Sequence, residues 1–203
     1  MSLKRLTIVV LVSVCAFVAR ATAQKNQLSG LVGRTFISDQ VITGSTFSDN
    51  KLRFGNGLSF EVNYARRVMS LELLSLALEV PFVVNPDEDL HTHANPVSAY
   101  YRSYFVTPAA RLNVFPDLGV SPWVSVGAGI GRFSGSSAPI PSTQGTTTGV
   151  FQAGLGLDVK LIKRFSLRGE VRDFWSGVPQ LNLTTNKSRQ SNLLVSAGIV
   201  WHF

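Results

Sequence analysis

The sequence predicts an all-β fold: an eight-stranded antiparallel up-and-down transmembrane β-barrel, preceded by a cleaved signal peptide. Three observations carry this. The chain ends on a period-2 strand in which Leu193, Val195, Ala197, Ile199, Trp201 and Phe203 share one face. Seven more alternating segments lie upstream. The connections between them alternate short and long, as in outer-membrane barrels.

The N-terminus reads as a secretory signal. Lys4 and Arg5 form a basic n-region, Leu6 to Val18 an apolar h-region, and Ala21-Thr22-Ala23 a small-x-small cleavage site. The apolar run is too short for a transmembrane helix and Arg20 ends it. Residues 1–23 are the expected signal peptide and 24–203 the expected barrel domain. Removing Lys4, Arg5 and Arg20 lowers the formal net charge from +7 to +4. The single cysteine, Cys15, falls in the h-region, so the mature chain offers no disulfide and no thiolate chemistry. The basic balance suggests nucleic acid, but no basic helix or zinc spacing supports it. Charged residues are only 15% of the chain, against 45% hydrophobic, and the mature part has no run of 18 apolar residues. Moderate hydropathy with alternation fits strands that cross a bilayer.

The expected strands are 27–37, 57–66, 71–83, 102–115, 120–133, 148–160, 165–175 and 191–203. Short turns fall at Arg67–Ser70, Pro116–Gly119 and Leu161–Arg164; the long loops are 38–56, 84–101, 134–147 and 176–190. A soluble eight-stranded barrel has no reason to sort its loops this way. An unpaired backbone group in hydrocarbon costs several kcal/mol, so the first and last strands must pair. Both termini are then expected on the periplasmic side, with the long loops outside.

Parity assigns the faces. Leu58, Phe60, Val62 and Tyr64 point outward, with Ser59, Glu61, Asn63 and Ala65 inward. The third strand sends Leu74, Leu76, Leu78, Val80 and Phe82 out; strands five and six line the inside largely with glycine. Only the first strand fits poorly, because Leu31 falls on the inner parity. The lumen therefore collects Glu61, Glu79, Asp158 and Glu170 against Arg111, Arg168 and Arg172. Buried charges must pair, so the interior is expected to be a polar plug, with glycines leaving room for the arginines. Fourteen aromatics near strand ends read as membrane-interface girdles: Phe36, Phe82, Tyr100, Tyr101, Tyr104, Phe105, Phe115, Trp123, Phe133, Phe165, Phe174, Trp175, Trp201 and Phe203.

The pattern and the ending Val195-Ser-Ala-Gly-Ile-Val-Trp-His-Phe203 resemble the eight-stranded outer-membrane barrels of the OmpA/OmpX type. The resemblance implies that Trp201 and Phe203 belong to a C-terminal signal read by the barrel-assembly machinery, with periplasmic chaperones as earlier partners. It implies a monomer in the outer membrane of a Gram-negative-type bacterium, with porin-like architecture and no nucleic-acid partner. The expected role is structural or surface-interacting, with no cofactor. A lipid-modifying enzyme or an OmpW-like conduit for small hydrophobic solutes is the alternative.

Catalytic chemistry is sparse. Three histidines exist: His202 at the periplasmic rim, read as an interface residue, and His91 and His93 in a loop near Ser98, with no spacing that fixes a triad. Asp87, Asp89, His91 and His93 are weak candidates for a divalent cation; a solvated acidic loop is the favoured reading. The bases Arg34, Lys51, Arg53, Arg102, Arg132, Lys187 and Arg189 are expected toward the outer rim, where lipopolysaccharide phosphates lie. The short turns are basic too (Arg66, Arg67, Lys160, Lys163, Arg164), so loop length, not charge, orients the barrel.

Overall fold

Alternating sequence turns one face of each strand to the lumen and the other outward, and a computed structural model shows how the strands close. It describes residues 25–37, 40–41, 51–54, 57–88, 90–91, 100–136, 145–177 and 189–203. The predicted signal peptide, Asp89, His93, Ser98 and Lys187 lie outside the described residues. Only the backbone is described for Lys51, Arg53, Asp87, His91, Tyr100 and Tyr101.

The strands are β1 (Asn26–Ile37), β2 (Gln40–Val41), β3 (Lys51–Phe54), β4 (Gly57–Ser70), β5 (Leu74–Glu88), β6 (Leu90–His91), β7 (Tyr100–Val106), β8 (Ala109–Val114), β9 (Val120–Ser136), β10 (Thr146–Ile162), β11 (Phe165–Gly177) and β12 (Arg189–His202). β2, β3 and β6 form a small separate sheet within the long connections. The others close a ring in the order β1, β4, β5, β7 with β8, β9, β10, β11 and β12, every neighbour antiparallel. β7 and β8 are one wall strand interrupted at Thr107-Pro108. Pro108 and the facing Pro81 lack an N–H, so the ladder breaks there, with a single long bond from Thr107 N to the Pro81 carbonyl at 3.4 Å. The register holds across the break, Phe82 opposite Val106 and Glu79 opposite Ala109. The expected eight-stranded barrel is therefore the observed one.

The termini seal the wall. β1 and β12 pair from Gln27 opposite His202 to Ile37 opposite Asn192. Asn26 and Phe203 exchange backbone bonds of 3.1 and 3.0 Å. One turn differs from expectation. β4 runs on through Arg67 to Ser70, with a bulge between Arg67 and Met69, so the turn falls at residues 71–73 and not at 67–70. Pairing with β5 continues to Ser70 opposite Ser75, the ladder resuming beyond the bulge with Met69 opposite Leu76. Several strands also extend farther toward the long loops than expected, β9 to Ser136 and β5 to Glu88.

The distribution of polarity is inverted relative to a soluble protein. Leu155 is 60% exposed and Ile130 58%, and both belong to an apolar belt around the wall, while Glu79, Arg111 and Arg172 are buried. Soluble monomers rarely expose contiguous apolar patches beyond a few hundred Å². A belt with a charged interior fits a hydrocarbon surrounding. Leu31 does point inward, 2% exposed, as its parity requires.

Candidate functional site

The lumen is the chemically dense part of the molecule. Inward parity on β4, β5, β8, β10 and β11 brings Glu61, Glu79, Arg111, Asp158, Arg168, Glu170 and Arg172 together, all buried. Arg172 stands at the centre. Its Nε and Nη2 donate to the two Glu170 oxygens at 2.6 and 3.2 Å, and its Nη1 donates to Glu79 Oε1 at 2.7 Å. Glu61 Oε1 lies 3.4 Å from Arg172 Nε, an ion pair without a hydrogen bond. Arg111 approaches the other Glu79 oxygen at 3.3 Å and donates Nη2 to Gln27 Oε1. Arg168 sits directly across the ladder from Asp158 and forks onto it with two bonds of 2.7 Å. Such bidentate pairs combine charge with fixed geometry. Asn63 adds an N–H to Glu79 at 3.0 Å, and Ser125 accepts from both Gln152 and Arg172.

An aromatic ring expected in the girdle lies among these arginines. Trp123 is not a girdle residue; it points into the lumen and is 2% exposed. The guanidinium carbons of Arg111, Arg168 and Arg172 lie 5.5, 5.1 and 5.1 Å from its ring, within cation–π range. Its Nε1 donates to Asp158 Oδ1 at 3.2 Å. Of the inward glycines of β10, Gly156 makes room for this ring and Gly154 for the Arg172 stem. A Cβ on Gly156 would sit 2.5 Å from Trp123 Cζ2, and one on Gly154 would meet Ser125 and the Arg172 stem. Phe105, Phe133 and Phe174 are also inward, not girdle residues. Phe105 stacks on Phe174 at 5.0 Å and meets Phe133 edge-on at 5.7 Å. This aromatic layer covers the ionic one on the long-loop side. Their parity was legible, since Trp123 is in step with Ser125, Phe133 with Gly131 and Phe174 with Arg172. Phe36, Phe82, Phe115, Phe165, Trp175, Trp201 and Phe203 do face outward, with Trp201 packed on Phe203 at 4.7 Å.

At the short-turn end the lumen opens into a cavity of about 180 Å³. His202 lines it, and so is not only an interface residue: its Nε2 lies 2.9 Å from Ser166 Oγ. At the other end, Arg34, Arg102, Arg132 and Arg189 are exposed on the outward parity. Arg102 and Arg132 sit on adjacent strands, Arg102 opposite Ser134 and Arg132 opposite Tyr104. That register makes them diagonal neighbours on one face.

The fold has solved counterparts. Neisserial surface protein A superposes with a TM-score of 0.60 at 15% identity, covering 90% of this chain and 100% of that one. The outer membrane protein OprG from Pseudomonas aeruginosa gives 0.58 at 13% identity over 89% and 96%. The N-terminal β-barrel domain of Pseudomonas aeruginosa OprF gives 0.52 at 11% identity over 90% and 100%. At these identities the likeness is one of fold: the closed eight-stranded barrel of outer-membrane proteins. No protein-family profile and no curated protein sequence matches the chain.

Proposed function

We propose that this chain is an integral outer-membrane barrel with a structural or surface-interaction role, its lumen a plug and not a conduit. The observation behind this is the ionic and aromatic filling of the interior. Three arginines, four carboxylates and Trp123 occupy the middle, and Phe105, Phe133 and Phe174 lie above them. An eight-stranded barrel is only wide enough for side chains to fill it. The termini are periplasmic in this reading and the long loops extracellular. The wall meets lipid, and the outward Arg34, Arg102, Arg132 and Arg189 meet lipopolysaccharide phosphates through charge-assisted hydrogen bonds. We assign no catalytic role to any residue.

Planar-bilayer recording on the refolded protein tests the plug: no steady single-channel conductance is expected. Stable, voltage-persistent openings from pure folded protein would overturn it. Thermal unfolding with and without lipopolysaccharide tests the rim. Stabilisation should be present in the native protein and reduced in Arg102→Gln/Arg132→Gln; an unchanged shift would remove the phosphate assignment.

A further inference from the structure

The bases of the short turns take no part in the plug or the outer rim, yet the cavity at that end gathers three of them. Lys160, Lys163 and Arg67 line it together with Asn113, Ser166 and His202. Two acids line it as well, and both are already engaged. Asp117 lies 3.5 Å from Arg67. Asp158 has one oxygen accepting from Arg168 Nε and Trp123 and the other from Arg168 Nη2. Lys160 and Lys163 have no ion pair among the described residues. The cavity thus carries uncompensated positive charge beside a hydroxyl and an imidazole held 2.9 Å apart.

Ser166 and His202 invite comparison with a nucleophile and its base. A relay of that kind needs a third group to orient the imidazole. Of the two carboxylates lining the cavity, Asp158 is instead fixed in the arginine fork and Asp117 is paired with Arg67. The donors suit capture of an anion, not acyl transfer. Lysine ammonium groups are point charges that approach a tetrahedral oxyanion from any side, and hydroxyl and imidazole N–H groups are further donors.

We propose that this short-turn vestibule is a phosphate-binding site, bounded by Lys160, Lys163, Ser166 and His202. Its ligand is a phosphate group, carried on an anionic lipid headgroup or free in solution. The site sits at the opposite end of the barrel from Arg102 and Arg132, so it stands or falls independently of the rim assignment.

The experiment titrates the full-length mature protein, refolded in an uncharged maltoside detergent, and reads binding by phosphorus NMR and calorimetry. Three probes are used: inorganic phosphate, short-chain phosphatidylglycerol and short-chain phosphatidylcholine. Saturable binding of phosphatidylglycerol or inorganic phosphate is expected, with phosphatidylcholine weaker. Binding of both anionic probes identifies phosphate itself as sufficient; binding of phosphatidylglycerol alone identifies the headgroup. Lys160→Gln/Lys163→Gln should weaken binding by about tenfold or more, since two charge-assisted contacts are lost. Ser166→Ala should weaken it by a few-fold, and Arg102→Gln/Arg132→Gln should leave it intact. Both lysines are exposed turn-side residues, so the variants should fold, as the heat-modifiable gel shift will verify. The proposal is overturned if neither anionic probe saturates, if phosphatidylcholine binds as tightly, or if the double lysine variant binds within about twofold of the native protein.

Discussion

Arg172→Met should be among the most damaging single substitutions in the barrel, and Glu61→Gln among the mildest at a buried charge. Arg172 is fully buried and serves three carboxylates, at 2.6 Å to Glu170, 2.7 Å to Glu79 and 3.4 Å to Glu61. The central cluster holds four acids and three arginines. Removing Arg172 leaves four against two, with Glu170 stripped of both its arginine hydrogen bonds. Deleting one member of a buried pair typically costs about 3–5 kcal/mol, and loss of the stack on Trp123 adds about 0.5–2 kcal/mol. The expected loss is therefore about 4 kcal/mol or more, a large part of a stability on the order of 5–15 kcal/mol. Glu61 differs, because neither of its oxygens accepts a hydrogen bond among the described residues. Neutralising it brings the count to three acids and three arginines, so Glu61→Gln should change stability by about 1 kcal/mol or less, in either direction. The assay is reversible urea unfolding in lipid vesicles, followed by the gel shift and by tryptophan fluorescence, with free energies from linear extrapolation. A loss below about 1 kcal/mol for Arg172→Met, or a larger loss for Glu61→Gln than for Arg172→Met, would refute the view that this arginine organises the lumen.

Three further outcomes follow from the same geometry. Lipids brominated along the acyl chain should quench Trp175 and Trp201, which face outward, but not Trp123; Trp123→Phe should therefore leave the quenched fraction of signal larger, and a smaller fraction would put Trp123 in the wall. Gly156→Ala drives a Cβ to 2.5 Å from the Trp123 ring and 2.8 Å from the Gly169 carbonyl, and should cost about 1–3 kcal/mol. The ring's share should be relieved by Trp123→Phe, giving a coupling of about 0.5 kcal/mol or more; strict additivity in urea titrations would show that the two do not touch. Deleting Trp201 to Phe203 removes the paired backbone bonds between Asn26 and Phe203 and the aromatic terminus, so heat-modifiable folded protein in the outer membrane should fall sharply; normal assembly would count against both the seal and the assembly signal.

What the sequence determined by itself is the class of fold and the face of almost every side chain. Period 2 admits only two assignments per strand, and in β4 the choice between Leu58, Phe60, Val62 and Ser59, Glu61, Asn63 leaves no ambiguity about which face meets hydrocarbon. Closure followed from the cost of a bare sheet edge in a bilayer. Parity even placed Trp123, Phe105, Phe133 and Phe174 inside. Nearness to a strand end marks them as girdle residues, but alternation is the stronger constraint and turns them inward. Other features were not legible. The turn at residues 71–73 depends on a bulge at Arg67 and Met69, which shifts register without a marker as strong as proline or glycine. Which acid meets which arginine depends on the stagger of strands around the ring. Glu170 meets Arg172 from two residues away on β11, but Glu61 and Glu79 come from β4 and β5, and only closure puts them against the same arginine. The vestibule has the same origin. Lys160, Lys163 and Ser166 belong to the single turn between β10 and β11, and His202, from the chain terminus, joins them because β11 and β12 run antiparallel side by side. Alternation is local and survives in one dimension; convergence across a closed wall is a property of strand stagger, which no single strand encodes.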